Sequence, residues 1–430
     1  MKCAGKGEQA SGMLLIEGFL VGGCAGLVAV VYRRLLSWAE EAVMWISTQL
    51  RADLLWLPLV LVMLVLIGVG IAALLRWEPM ISGSGIPQIE GEVQGTIDQN
   101  WKRVIPCKMA AGTLAALGGL SLGREGPSIQ LGGMCGKGVA TLLHRESHAR
   151  SLITCGSGAG LAAAFNAPLS GILFCLEEVL KDFRTPLLLA VVIAALTGDF
   201  LSRAAFGFAP SFDFALESSL PLSAYGWVLL LGVVAGAAGA FYNYATLRMP
   251  ALYARLSFVK PHQRVCIALL VSALCMVFLP QVLCGGHAMI ALLEHSPRLL
   301  GTLLFLLGMK FLFSLVSFGS GAAGGIFFPL LVLGSYLGAS YGCLVTSLGG
   351  MNEAYINNFI ILGMAALFSG IVRAPLTGIV LIMEMCGGLP QLLSLTLVSL
   401  TAYLSAQALG SQPIYESLLE RMTKKAPSRS

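Results

Sequence analysis

Charge is what this chain has least of. Of its 430 residues, 22 are acidic and 27 basic, 11% together, whereas a soluble domain carries about 25% charged residues. That scarcity excludes an ordinary water-soluble fold. The formal net charge of +5 is small for this length and gives no sign of a nucleic-acid partner. Metal-binding patterns are missing as well. The five histidines form no H-E-x-x-H pair and the eleven cysteines no C-x-x-C pair, so neither a zinc site nor a disulfide framework is indicated. No metal and no cofactor are expected. No nucleophile and base set stands out, which argues against an enzyme. Residues 1–12 are polar, with Lys2 and Lys6, and no small-residue cleavage site follows. They read as a cytoplasmic tail and not as a cleaved leader.

What the chain has in abundance is apolar length. Hydrophobic residues make up 57% of it. They fall in runs at about 13–32, 55–75, 109–122, 152–176, 187–201, 225–245, 265–284, 299–318, 325–348, 359–383 and 389–409. A full membrane crossing takes about 20 residues. Several runs are shorter or are cut by Gly and Pro, so an all-α, polytopic membrane protein with full spans and half-helices is predicted. The 51 glycines suit close helix packing in lipid. Cys24, Cys155, Cys175, Cys266, Cys275 and Cys343 lie in these runs and read as small packing residues.

Loop charge sets an orientation. Arg248, Arg255, Lys260 and Arg264 share one segment; Lys181 and Arg184 follow another run; Arg421, Lys424, Lys425 and Arg429 lie near the end. Residues 206–222 contain no Lys or Arg but hold Asp213 and Glu217. Basic segments face the cytoplasm, which puts both termini inside. The division expected is a tail at 1–12, a membrane domain at 13–422 and a basic cytoplasmic tail at 423–430. Within the domain, the first half covers about 13–205 and the second about 223–410.

The two halves repeat. Gly123-Arg124-Glu125-Gly126-Pro127, with glycines at 132 and 136, aligns with Gly325-Ile326-Phe327-Phe328-Pro329, with glycines at 334 and 338, an offset of 202 (123 to 325). Asn166-Ala167-Pro168-Leu169-Ser170-Gly171-Ile172 aligns with Arg373-Ala374-Pro375-Leu376-Thr377-Gly378-Ile379, an offset of 207 (166 to 373). A glutamate follows each, Glu177 and Glu384, again 207 apart. Duplicated halves are a transporter architecture, with the substrate site between them at broken helices.

Three segments share a glycine-rich approach to a proline: Gly83-Ser84-Gly85-Ile86-Pro87, Gly123 to Pro127 and Gly325 to Pro329. Proline favours a helix start, and a helix start offers free N–H groups and partial positive charge to an anion. Three such starts could converge on one ion. Ser84 adds a hydroxyl donor, and Tyr415, in Gln412-Pro413-Ile414-Tyr415, could add another; taken alone, Tyr415 reads first as an interfacial aromatic anchor. Glu125 is a carboxylate at membrane depth, costly and so functional by default. The matching position in the other half is Phe327. Glu178 ends an apolar run just before Lys181, and could be a helix-end glutamate paired with that lysine.

Together, the Gly83–Pro87, Gly123–Pro127, Gly325–Pro329 and Pro413–Tyr415 segments resemble, in order and spacing, the four signature segments of the CLC family of chloride channels and chloride/proton exchangers. The likeness runs from about residue 13 to residue 422. It implies inverted repeats with half-helices meeting at a central anion site. That site would be made by the hydroxyls of Ser84 and Tyr415 and the backbone N–H groups of Ile326 and Phe327. It also implies that Glu125 is an external gate beside a buried structural cation, Arg124, and that Glu178 is an internal proton relay. The expected partners are chloride, protons, the lipid bilayer and a second copy in a homodimer with one pathway per subunit. The expected place is the cell membrane, the inner membrane in a Gram-negative source. Keeping both glutamates favours exchange over the alternative, a passive voltage- or pH-gated chloride channel. Ser84 keeps the chloride pattern. Ending fifteen residues past Tyr415, the chain is expected to lack the family's cytoplasmic nucleotide-binding domains. Gln88 and Gln94 stand where some relatives carry acids, which is expected to alter electrostatics on the dimer side or the inner surface, and Phe328 is bulkier than the residue often found before that proline.

Overall fold

The broken apolar runs resolve into helices of unequal length. The computed structural model describes residues 2–208, 212, 214, 220–256, 260–295, 298–349, 351–386 and 391–425, with side chains from residue 12 onward except at 295 and 425. Asp213, Glu217 and Arg429, used above for orientation, the last five residues of the basic tail and the first two of the run 389–409 lie outside the described residues.

The first half contains α1 (Lys2–Ala52), α2 (Leu57–Trp77), α3 (Ile86–Gln94), α4 (Trp101–Leu117), α5 (Glu125–Leu142), α6 (Ala149–Phe165), α7 (Pro168–Phe174) and α8 (Thr185–Phe206). The second contains α9 (Tyr225–Ala254), α10 (Val265–Phe278), α11 (His287–His295), α12 (Leu300–Gly319), α13 (Phe327–Ser347), α14 (Ile356–Val372), α15 (Pro375–Cys386) and α16 (Leu392–Ala408). A last helix, α17 (Ile414–Lys425), follows. Among the described residues eight helical segments are long and apolar enough to cross a membrane, and no strand forms beyond two isolated bridges. The residues read as a leading tail belong to the helix of the first span, which begins at Lys2.

The order of the helices makes the halves inverted repeats, α1–α8 matching α9–α16, and the side chains bear the symmetry out. Glu384 accepts from Leu169 N–H at 3.0 Å, Ser170 N–H at 2.8 Å and the Ser170 hydroxyl at 2.5 Å. Glu177 accepts from Leu376 N–H at 3.2 Å, Thr377 N–H at 2.8 Å and the Thr377 hydroxyl at 2.7 Å. Each half thus caps the short proline-started helix of the other, as a twofold axis between them requires. Asn166 and Arg373, equivalent positions, both end their helices in the left-handed region at φ 56° and 72°. Lys108 and Lys310 are both fully buried. Lys108 donates to Ile81 O at 2.8 Å and Gly83 O at 2.7 Å. Lys310 donates to Val282 O at 3.0 Å and Cys284 O at 2.9 Å.

The repeated glycines explain the interior. A Cβ on Gly136 would collide with the Leu152 carbonyl of α6, and one on Gly338 with the Phe359 carbonyl of α14. Glycine at these positions lets α5 cross α6, and α13 cross α14, at backbone contact. These pairs form the buried centre. Around them, Leu66, Leu230, Leu270 and Phe305 are exposed on α2, α9, α10 and α12, as lipid requires.

Candidate functional site

Three glycine-rich loops meet at the centre, joined by their own backbones. Gly83 N–H donates to Ala322 O at 3.2 Å, and Gly324 N–H donates to Gly83 O at 3.0 Å. Gly123 and Gly325, equivalent residues, exchange both bonds, at 2.6 and 2.8 Å, in an antiparallel bridge. The starts of α3, α5 and α13 are thereby held together. Each start leaves N–H groups without intrahelical partners, so the junction has a positive potential built from backbone alone. Gly85 is required here: it caps α3 at φ 93°, and a Cβ would strike the Gln130 side chain.

Of the residues singled out from sequence, Ser84, Gly123, Glu125, Gly126, Ile326 and Phe327 come together at this junction. Gly126 lies against Ser84, its Cβ position 2.9 Å from Ser84 Cβ, and the Cβ position of Gly325 is 3.2 Å from Gly126 N. Pro127 falls in the first turn of α5 and is buried. Phe327 is packed among Phe165, Phe174 and Phe368, at centroid distances of 5.2, 5.9 and 4.8 Å. Tyr415 reaches the same aromatic cluster, edge-on to Phe174 at 6.4 Å. Its ring is completely buried and its hydroxyl has no partner. It is therefore not an interfacial anchor, and an orphaned hydroxyl at such depth is a donor in search of a ligand.

Glu125 is the first residue of α5 and is 1% exposed. The N–H groups of Glu125 and Phe328 are directed at its carboxylate, but neither carboxylate oxygen closes a hydrogen bond. Arg124 Nε is 3.8 Å from Glu125 Oε1. Arg124 is not the buried cation anticipated: 15% of its side chain is exposed, because it lines a small cavity. That cavity, about 20 Å³ in volume, is also bordered by Tyr32, Glu40, Glu125, His287 and Phe328.

Glu178 lies beyond the other end of the junction, in a π-turn, Cys175–Val179, that follows α7. It is buried, and its Oε1 has no partner. Lys181 is committed elsewhere, to an ion pair with Glu416. Lys181 thus acts on Glu178 as a nearby charge and not as a contact partner. Sequence reasoning missed Glu90, buried on α3 with both carboxylate oxygens unpartnered and within electrostatic reach of Glu178. Its place three residues after Pro87 was the available signal. Gln88 does not act through surface charge: it is buried and donates to Ser82 O at 2.7 Å and Met80 O at 3.2 Å, bracing the first loop. Gln94 is exposed at the end of α3. Phe328 is accommodated between Phe212, at 5.9 Å, and His287, stacked at 4.3 Å. Among the described residues no His, Cys, Asp and Glu cluster could hold a metal ion.

Inverted repeats, helix starts turned on one central point and unpaired hydroxyl and carboxyl groups around it define a multi-pass membrane transport protein for a small anion. The comparisons with known proteins make the class specific. Residues 64–407 match the family model described as "Voltage gated chloride channel", and the chain belongs to that family, the CLC proteins. It is 34% identical over 420 residues to the H(+)/Cl(-) exchange transporter ClcA of Vibrio cholerae, covering 96% of this chain and 90% of that one. It is 36% identical over 423 residues to the ClcA of Yersinia pseudotuberculosis, covering 96% and 88%. The crystal structure of a slow cyanobacterial Cl−/H+ antiporter superposes with a TM-score of 0.90 at 29% identity, covering 96% of this chain and 98% of that one. Membership makes the chain a transport protein and not an enzyme.

Proposed function

We propose that the chain is a chloride/proton antiporter in which Glu125 is the external gate and Glu178 the internal proton relay. The observation that carries this reading is the position of the Glu125 carboxylate, buried without a hydrogen bond where the starts of α5 and α13 meet. An anion leaving water needs donors to replace its hydration. Helix starts and the hydroxyls of Ser84 and Tyr415 supply them without a full positive charge, so the ion binds without being trapped. Ile326 and Phe327 contribute through backbone N–H groups at the start of α13. A carboxylate in the same field competes with the anion for those donors. Protonation removes its charge, its claim on the donors lapses, and the anion passes. One side chain thereby couples the two ions.

The proton needs a second titratable group to continue inward. Glu178 is buried, Lys181 makes its contact ion pair with Glu416 instead, and Tyr415 and Glu90 lie within electrostatic reach of Glu178. The names of the relatives, which are exchange transporters, favour the same activity. The family resemblance is also the support for a homodimer with one pathway per subunit. Both termini inside follows from the basic segment between α9 and α10 and the basic residues of α17. It places the cavity beside Arg124, Glu40 and His287 on the outside, because Glu40 lies near the far end of α1 from the amino terminus.

The reading is tested with Glu125→Ala in liposomes carrying a chloride gradient. Uphill proton movement should vanish while chloride flow persists. Proton pumping that survives the substitution overturns the role given to Glu125.

A further inference from the structure

The cavity outside Glu125 contains a pair that the anion site does not use. His287, the first residue of α11, sits with Nδ1 3.3 Å from Glu40 Oε2 of α1. Its ring is stacked on Phe328, 4.3 Å between centroids and 25° between planes. Phe328 is the residue whose N–H is directed at the Glu125 carboxylate. The imidazole is therefore fixed from two sides, by a carboxylate and by a ring at the start of α13, the helix start that faces the gate. It keeps 43% of its side chain exposed, whereas Glu40 keeps 25% and Glu125 1%. Exposure thus falls stepwise from outside water to the gate.

We propose that His287, positioned by Glu40 and Phe328, is the outer proton carrier that takes protons from Glu125 and delivers them to external water, and the reverse. The inference rests on Glu125 being the gate. Glu40 accepts the Nδ1–H bond, which fixes the tautomer and leaves Nε2 as the ring's free acceptor. A cavity of about 20 Å³ has room for one water, which needs about 10–15 Å³. In the outward step the O–H bond of protonated Glu125 breaks and that water passes a proton on. An N–H bond forms on His287, leaving a carboxylate and an imidazolium, and the imidazolium then loses its proton to bulk water. Charge and protons balance without any other reactant. Other charged and titratable groups face the pair. Arg124 borders the same cavity, and the buried Lys310 lies within electrostatic reach of Glu40. Tyr32 and Cys284 complete the titratable surroundings.

The test is proton-coupled exchange by the full-length protein in liposomes, started with equal pH on both sides, from about pH 5 to 8, where imidazoles titrate. His287→Gln keeps the ring's bulk in part but cannot carry a proton. It should slow coupled exchange near neutral pH by about tenfold or more, since a positioned proton carrier contributes roughly 10²–10⁴ and other steps share control. It should also flatten the pH profile while leaving calorimetric chloride affinity unchanged. Glu40→Gln, which keeps shape and removes the counter-charge, should displace the midpoint of the same profile. A His287→Gln profile that overlays the parent overturns the proposal. If that variant is not recovered folded, an unmoved Glu40→Gln profile does so. Glu125→Ala, measured in parallel, separates the two failures. If it loses coupling while the His287 and Glu40 profiles stay unmoved, the gate stands and the outer carrier is wrong. If it keeps coupling, the gate itself is wrong.

Discussion

Replacing Glu384 by alanine removes the carboxylate that closes the first turn of α7. Three hydrogen bonds go with it, at 3.0, 2.8 and 2.5 Å. A hydrogen bond to a charged acceptor is worth about 1.5–3 kcal/mol, and a helix cap about 0.5–2 kcal/mol. Leu169, beside the cap, is exposed, so water can serve part of the freed turn. The net cost should then be about 2–4 kcal/mol, below the sum of the three bonds. The symmetry sharpens the claim. Glu177→Ala loses the equivalent bonds at 3.2, 2.8 and 2.7 Å, and its cost should match that of Glu384→Ala within about 1 kcal/mol. That tolerance allows for the spread usual between independent sites. Glutamine keeps one acceptor oxygen and should lose about half as much. Heat unfolds many membrane proteins irreversibly, so the assay is SDS titration in mixed micelles, followed by tryptophan fluorescence. A loss under about 1 kcal/mol at either position, or a large cost at one and none at the other, would refute the reciprocal caps as a source of stability.

The transport residues allow three further predictions. Glu125→Ala should convert exchange into passive chloride flow, seen as chloride efflux from loaded liposomes with no accompanying pH change. Glu178→Gln should stop proton movement and spare chloride; normal proton flux in this variant would mean that the inner relay is another group, with Glu90 the first to examine. Ser84→Ala combined with Tyr415→Phe should weaken chloride binding by roughly 10- to 100-fold, since each hydroxyl bond to an ion is worth about 1.5–3 kcal/mol and the pair is not additive. Calorimetry on the purified protein reads this directly, and an unchanged affinity would remove both hydroxyls from the site.

Much of the fold was legible because lipid restricts what a backbone can do. Apolar runs became helices, and runs such as 152–176 and 359–383 held two each, divided where Pro168 and Pro375 require a new start. The repeat was legible because it reuses the same glycines, whose Cβ atoms the crossing helices forbid. The mutual capping by Glu177 and Glu384 was not legible. Their common offset was visible, but only folding shows that each serves the opposite half. Lys108 and Lys310 escaped notice for a similar reason: a lysine beside or inside an apolar run gives no hint of which carbonyls it reaches. Glu125, Ser84 and Tyr415 were found because they stand in recognisable segments. Glu90, His287 and Glu40 stand in none, and acquire meaning only from what folds against them. Arg124 was expected to be buried and is partly open, because the cavity that exposes it is built from α1, α5 and α11 together.

The measurement that bears most directly on chloride/proton exchange is the reversal potential of the reconstituted protein under combined chloride and pH gradients. At a fixed tenfold chloride gradient, a passive chloride pathway reverses at about 59 mV, the value for one elementary charge per decade, whatever the pH. Exchange predicts a reversal potential displaced from that value, which moves further as a pH gradient is added and returns to the chloride value in Glu125→Ala. A wild-type reversal potential that stays at the chloride value across all pH gradients would contradict the account.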